Sequence, residues 1–111
     1  DAENIRQADA VILVGSRSSV MSLNCGYCGY PTCVAKNEHP DVPCAINMTD
    51  LGIAIGSMTA KAADLRVDSR VMFSVGFAAR RIGLLTDCHA VYAIPLSASS
   101  KNPFFDRPST R

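Results

Sequence analysis

The chain has 111 residues, 48% of them hydrophobic and 19% charged, a composition that fits one folded domain rather than a disordered segment. Its 11 lysines and arginines nearly balance its 10 aspartates and glutamates, so charge gives no reason to expect a nucleic-acid or anionic membrane partner. No apolar run reaches the roughly 20 residues that a membrane-spanning helix needs.

The chain begins with "DAENIRQADAVILVG", which lacks an initiator methionine and the basic, apolar and cleavage-site order of a signal peptide. We therefore expect a cytoplasmic protein, and we interpret residues 1–111 as a single domain that forms the C-terminal portion of a longer chain. Residues 2–8 are predicted to end a helix. The uninterrupted apolar run at residues 10–14 predicts a strand buried on both faces.

A cysteine-rich segment follows a small, polar loop and occupies residues 24–44. Pro31 is placed to open a short helix within this segment. Pro40 and Pro43 then predict an extended return to Cys44.

A long helix is predicted over residues 45–66, because apolar residues recur there in steps of three and four. These residues are Leu51, Ile55, Met58, Ala62 and Leu65. Gly52 and Gly56 lie on an adjacent stripe of small residues. Glycine inside a helix costs about 1 kcal/mol relative to alanine. The two glycines therefore predict tight packing against another helix, with close approach of a flat ligand as the alternative.

The C-terminal part is predicted to alternate between strands and a helix. Residues 71–75 read as a short strand, and residues 77–85 as an amphipathic helix with Arg80 and Arg81 pointing outward. A second buried strand follows, from Cys88 to the residue before Pro95. The order of elements predicts an α/β (α+β) fold in which helices pack on a sheet, with one long helix rich in small residues and a cysteine-rich loop.

The cysteine-rich segment has the spacing C-x2-C-x4-C-x10-C. Its cysteines are Cys25, Cys28, Cys33 and Cys44. A [4Fe–4S] cluster takes four thiolates, and short spacings let one loop supply three of them while a return segment supplies the fourth. Gly26 and Gly29 can adopt positive φ and turn backbone N–H groups toward the sulfurs. The pattern favours an iron–sulfur cluster.

Two other arrangements of the four sulfurs stay open. Zinc also binds four thiolates, although structural zinc sites usually contain two C-x2-C pairs, and only one pair here has that spacing. Two local disulfides, with three alternative connectivities, are the other arrangement.

Other side chains near these elements look chemical but are interpreted as structural. Cys88 and His89 are neighbours on a predicted strand and point to opposite faces, so Cys88 is predicted to be a buried free thiol and no catalytic residue is assigned. His39 is predicted to be an exposed loop residue. Tyr27 and Tyr30 flank the motif and are predicted either to shield a cluster from solvent or to serve packing alone.

The motif "NCGYCGYPTC" at residues 24–33, completed by Cys44, resembles the iron–sulfur module of bacterial ion-translocating electron-transport complexes. Residues 50–79 and 94–107 resemble an uncharacterised family of ferredoxin domain-containing proteins, domain of unknown function 2148. This second resemblance implies a [4Fe–4S] cluster on the four motif cysteines and a missing N-terminal region. It implies no reaction, because the family has none assigned.

The order of elements is also similar to that of nitroreductases, which bind FMN at a dimer interface and share a long central helix between subunits. This similarity implies that residues 51–65 form that helix in a homodimer and that FMN is a further cofactor. Lys101 and Arg107 are the tail cations placed to meet its phosphate, unless they are simply solvated surface charges.

Three functions follow from these patterns. The leading hypothesis is a ferredoxin-like protein that binds a [4Fe–4S] cluster and exchanges electrons with a redox partner protein. The alternative is a flavin-dependent, nitroreductase-like oxidoreductase that uses the cluster together with the missing N-terminal region. The third is a structural zinc-binding domain.

Overall fold

The computed structural model describes residues 1–106. Within them the chain forms four helices and three strands, which confirms a mixed α+β fold. The elements in chain order are α1 (Ala2–Gln7), β1 (Ala10–Arg17), α2 (Cys33–Asn37), α3 (Ala45–Asp64), β2 (Asp68–Ser69), α4 (Phe73–Arg81) and β3 (Cys88–Ser97). None of the helices in this part of the chain combines the length and the apolar character needed to cross a membrane.

The three strands form one antiparallel sheet with β3 at its centre. β1 pairs along nearly all of β3, with Val14 opposite Tyr92, whereas the two-residue β2 pairs only with the end of β3. Helix α3 packs against β1, and α4 packs against β3. Because β3 has a neighbour at each edge and a helix against it, it is the most buried of the three strands.

The prediction that β1 is buried on both faces is wrong. Val11 and Ile12 each keep 38% of their surface exposed, and no residue of β1 is fully buried. β1 lies at an edge of the sheet, and the described part of the chain covers it only partly. The apolar run identified the strand, but such a run does not distinguish an edge strand from a central one.

β3 does not stop at Pro95 as predicted, and the proline lies inside the strand. The N–H and C=O of Ala93 both bond to the backbone of Met72, at 2.9 and 2.8 Å. Strand residues two apart direct their backbone groups to the same edge, so Pro95 faces the edge that Ala93 uses. Along that edge, the pairing of β3 with its neighbouring segment is interrupted between Ser69, which pairs with Leu96, and Met72, which pairs with Ala93. The proline, which has no N–H, therefore leaves no ladder hydrogen bond unmade.

The strand predicted at residues 71–75 is wrong. Met72 makes a single antiparallel bridge to Ala93, and α4 begins at the next residue, Phe73. Periodicity cannot separate a strand from a buried helical turn in so short an apolar run. The predicted helix is present, but it begins and ends about four residues earlier than its pattern indicated.

Helix α4 lies close against β3 at Gly76. A Cβ atom on Gly76 would lie 1.7 Å from the carbonyl oxygen of Val91, so no larger residue fits there without a backbone shift. Arg81 is exposed as predicted. Arg80 is not: it is half-buried, and its Nη1 donates a hydrogen bond to the carbonyl oxygen of His89 at 3.1 Å.

Helix α3 confirms the predicted long helix, with Leu51 and Ala62 as its buried residues. The tight packing predicted for its glycines is not present within residues 1–106. A Cβ atom built on Gly52 or Gly56 would meet no atom within 4 Å, and the neighbouring Ile53 is 64% exposed. In the described part of the chain, this stripe of α3 therefore faces open space.

Candidate metal centre

All four cysteines of the motif line one cavity of about 20 Å³. Cys25 and Cys28 lie in the loop before α2, Cys33 is the first residue of α2, and Cys44 occupies the N-cap position of α3. Each of the four is a free thiol. The fold thus brings the two ends of the cysteine-rich segment to one place.

Two glycines shape the loop that carries Cys25 and Cys28. Gly26 has a φ of 75° and Gly29 a φ of 95°, a left-handed conformation that residues with a Cβ atom adopt at a cost. The N–H of Gly29 donates to the carbonyl oxygen of Gly26 at 3.0 Å, which closes a tight turn around Cys28. The positive φ expected at both glycines is confirmed.

Asn24 ties the start of this loop to Cys33. Its backbone N–H donates to Cys33 Sγ at 3.3 Å, and its Oδ1 accepts a hydrogen bond from the N–H of Cys33 at 2.8 Å. Asn24 itself has a φ of 49°, which asparagine tolerates better than most residues with a side chain. Sequence reasoning assigned it no role, although its place directly before the first motif cysteine was an available signal.

The short helix predicted to open at Pro31 is present as α2 but begins two residues later. Thr32 Oγ1 accepts a hydrogen bond from the N–H of Ala35 at 3.1 Å, so Thr32 is the N-cap. The return segment after α2 is not extended as predicted. The N–H of Val42 donates to the carbonyl oxygen of His39 at 3.1 Å and closes a turn.

Cys44 lies in surroundings that favour its thiolate. Burial raises the pKa of the Cys44 thiol, and several hydrogen-bond donors and one charge lower it. These groups are the backbone N–H groups of Asn47, Met21 and Ile46, followed by the charge of Lys36. They outweigh burial, so the pKa of Cys44 lies below its ordinary value. The thiolate is the form that binds metals.

Lys36 is the one charged residue among those that line the described cavity. It is only 2% exposed, whereas lysine is almost never so buried unless it is paired. Its ammonium makes no hydrogen bond or ion pair with any other residue in the described range 1–106. Sequence reasoning missed Lys36. The available signal was its position three residues after Cys33, which places both on one face of α2.

The four cysteine side chains are not gathered into a coordination sphere. Across residues 1–106, no group of three or more histidine, cysteine, aspartate or glutamate side chains is arranged to hold a metal ion. At about 20 Å³, the cavity has room for about one water molecule. The donor chemistry nevertheless fits a cluster with thiolate ligands, since free thiols, backbone N–H donors and a buried cation meet at one cavity.

The fifth cysteine lies outside this cavity. Cys88 is 5% exposed and free, which confirms the predicted buried thiol. Burial, followed by the charge of Asp87, raises the pKa of Cys88. The neighbouring His89 instead contacts the cysteine-rich segment, because its Nε2 lies 2.6 Å from the carbonyl oxygen of Pro40. His89 therefore connects β3 to the loop between the third and fourth motif cysteines.

The aromatic residues beside the motif differ in position. Tyr30 lines the cavity and stacks on His39, with ring centroids 5.0 Å apart. His39 is exposed, as predicted. Tyr27 is 79% exposed and does not line the cavity. Its shielding of a cluster stays a prediction.

Of the two tail cations predicted to meet an FMN phosphate, Lys101 lies within the described residues. Lys101 Nζ lies 4.0 Å from Asp106 Oδ2 in an exposed ion pair, a contact that contributes little to stability. Arg107 lies outside the described residues.

Sequence comparison relates this chain to known proteins. A family described as uncharacterized proteins containing a ferredoxin domain (domain of unknown function 2148) matches residues 40–107, which are 68 of the 111 residues. The chain belongs to this family. The matched range includes Cys44, whereas the other three cavity cysteines precede it. Membership in a ferredoxin-domain family suggests an iron–sulfur cluster.

A relative of this ferredoxin-domain protein is an uncharacterized protein from Archaeoglobus fulgidus, 39% identical over 115 residues. The alignment covers 96% of the chain but 62% of the relative, so the chain spans about three fifths of that protein's length. No solved structure matches the chain. The similarity to nitroreductases therefore stays a prediction.

Proposed function

We propose that this chain binds a [4Fe–4S] cluster through the four cavity cysteines and exchanges single electrons with a redox partner protein. The ligands would be Cys25, Cys28, Cys33 and Cys44. The observation that carries the proposal is that these four free thiols, which are separated along the chain, line one cavity. Four cysteine thiolates are the usual ligand set of this cluster, and the family description includes a ferredoxin domain.

The surroundings of the thiols support an anionic, redox-active group. The Asn24 N–H donates to Cys33 Sγ, and the Lys36 side chain lines the same cavity wall. Hydrogen bonds to ligand sulfurs and nearby positive charge offset the negative charge of thiolate ligands and tune a cluster's potential. Bound there, a cluster would supply one-electron exchange, and these residues would stabilise its charge.

Metal content decides between this proposal and its alternatives. Protein purified without oxygen is expected to contain about four iron and about four sulfide per chain, the composition of one [4Fe–4S] cluster. One zinc per chain with no sulfide would overturn the proposal in favour of a structural zinc domain. Stoichiometric flavin beside the cluster in the full-length protein would favour the flavin-dependent oxidoreductase.

A pair of cysteine variants tests the ligand set. Cys28→Ser removes a cavity thiol, and we expect iron and sulfide content to fall roughly tenfold or more. Mutating a residue that only supports a metal ligand already lowers metal affinity about 10–100-fold, and Cys28 would be a ligand itself. Cys88→Ala is the matched control, because Cys88 lies outside the cavity, and its iron content is expected to equal that of the wild type. An unchanged cluster in Cys28→Ser would contradict the assignment.

We also propose that α3 pairs with α3 of a second copy. Gly52 and Gly56 face open space beside the exposed Ile53, and each glycine costs the helix about 1 kcal/mol relative to alanine. A smooth surface for another helix is a physical reason to retain them. Sedimentation of the full-length protein is expected to show a dimer, which Gly56→Glu converts to a monomer. A monomeric wild type at micromolar concentration would contradict this pairing.

A further inference from the structure

We propose that Lys36 is the counter-charge of the cysteine cavity and sets the reduction potential of the group that the cavity binds. The proposal rests on the iron–sulfur function and adds to it: the site is built for an anionic group, and Lys36 raises the potential of that group. Lys36 contacts no electron donor or acceptor in this assignment. It acts through the electric field of its ammonium group.

The burial of Lys36 is the first observation. Transferring an ammonium from water into a protein interior costs free energy unless an anion or hydrogen-bond acceptors receive it. Lys36 is 2% exposed and, among residues 1–106, has no carboxylate within ion-pair distance and no side-chain hydrogen bond. Its acidic neighbours in sequence, Glu38 and Asp41, are both exposed. The polypeptide therefore places a cation in its interior without supplying a carboxylate for it.

The second observation is the place of Lys36 beside the four motif cysteines. Its backbone N–H donates to Thr32 at 3.1 Å, and its carbonyl oxygen accepts from His39 at 2.8 Å, so its main chain is held at both ends of α2. The side chain lines the cavity that all four motif cysteines line. Thiolates in this cavity would thus be the missing anions.

A fixed cation acts differently on the two oxidation states. Reduction adds one electron from a low-potential one-electron donor, forms and breaks no bond, and raises the negative charge inside the cavity by one unit. Lys36 stabilises the more negative state more strongly, because the electrostatic attraction grows with the charge. Removing the charge therefore lowers the reduction potential. A lysine that serves only to pack its methylene groups would not have this effect.

The test compares three variants by redox titration of oxygen-free protein with reduced viologen as the electron donor. Lys36→Met keeps an unbranched apolar side chain and removes the charge. We expect its reduced-to-oxidised ratio at a fixed potential to fall about tenfold, which is a shift of about 59 mV for one electron. Lys36→Arg keeps the charge and should titrate like the wild type. Lys61→Met removes an exposed lysine of α3 and should also titrate like the wild type.

Each outcome separates the two proposals. If the wild type contains no iron and sulfide, the iron–sulfur function is wrong and the role of Lys36 falls with it. If Lys36→Met holds a full cluster at the wild-type potential, only the role of Lys36 is wrong. If Lys36→Met cannot retain a cluster, the cluster content of Lys36→Arg shows whether the charge or the shape of the lysine is needed. A full cluster in Lys36→Arg shows that the charge is needed, and its loss there as well shows that only the exact lysine shape mattered and overturns the proposal.

Discussion

The β3–α4 unit and the cysteine-rich segment, residues 24–44, are stabilised in different ways. In the first, Gly76 lies so close to Val91 that a Cβ atom would be 1.7 Å from its carbonyl oxygen, and Ala93 is completely buried. In the second, Lys36 is the only fully buried residue. The first unit supplies its own close packing, whereas the second is held by a few hydrogen bonds and has a cavity at its centre. We therefore expect the first to be stable without a ligand and the second to depend on one.

The largest expected effect tests the packing half of this comparison. Gly76→Ala places a methyl group against the backbone of Val91, and we expect the free energy of unfolding to fall by about 3 kcal/mol or more, at the upper end for overpacking. Urea unfolding followed by circular dichroism measures it. An unchanged unfolding midpoint would mean that α4 does not lie this close to β3.

The same substitution in α3 is the matched control. Gly52→Ala meets no atom within 4 Å in the described part of the chain, so at dilutions where the protein is monomeric we expect it to stabilise the fold by about 0.5–1 kcal/mol through helix propensity. At concentrations where the proposed dimer forms, we expect that gain to be lost, because the new methyl group would lie where the second helix packs. The two substitutions thus distinguish Gly76, which the packing of α4 on β3 requires, from Gly52, which no contact in the described part of the chain requires.

A smaller effect is expected in the cysteine-rich segment, and it should depend on the ligand. Asn24→Ala removes the Oδ1 acceptor of the Cys33 N–H, and it places alanine at a φ of 49°. We expect the cluster to be lost to a chelator about 10-fold faster, within the range for residues that support metal ligands. The metal-free protein should lose about 2 kcal/mol, from one hydrogen bond together with the strain of alanine at a positive φ.

Asn24→Asp is the control for this experiment, because aspartate keeps a side-chain oxygen at the same place and also tolerates the left-handed conformation. It should retain the cluster longer than Asn24→Ala. Equal loss rates in the two variants would mean that the side-chain acceptor does not hold the loop, and would weaken the assignment of Asn24 as a support for Cys33.

The same contrast explains which features the sequence could predict. Cysteine spacing, glycines with positive φ and the 3.6-residue period of α3 are local patterns, and the structure has the four cysteines at one cavity, φ of 75° and 95°, and a helix over Ala45–Asp64. Where the prediction failed, a distant neighbour decided the outcome. An apolar run became the exposed edge strand β1 because its place in the sheet depends on β3.

The lysine in the cavity shows the same limit for the site. A lysine in the short helix α2 reads as a solvated residue, since lysine is mostly exposed in proteins. Its burial follows from the cavity wall, which Cys44 and Ala45 help to form from a later helix. A local sequence pattern predicts ligands that are close together in the chain. It does not predict a charge whose surroundings come from elsewhere.

The smallest effect compares two cysteines, one from each region, in the metal-free protein. The pKa of Cys44 is lowered, and the pKa of Cys88 is raised, first by burial and then by Asp87. Labelling with iodoacetamide at a series of pH values, read by mass spectrometry, should therefore modify Cys44 at lower pH than an ordinary thiol, near 8.5, and Cys88 at higher pH. Lys36→Met should move the Cys44 curve to higher pH.

The two thiols also have opposite consequences for stability. The folded protein loses the Cys44 proton before the unfolded chain does, so this group stabilises the fold as pH rises from its lowered pKa to the ordinary value. Cys88 keeps its proton longer when folded, so its contribution is complete below the ordinary thiol pKa and is lost as pH rises through the raised one. Identical labelling curves for the two cysteines would show that the cavity does not favour a thiolate. Cys44 in the metal-free protein would then be protonated like an ordinary thiol, and the charge of Lys36 would act only after the cluster is bound.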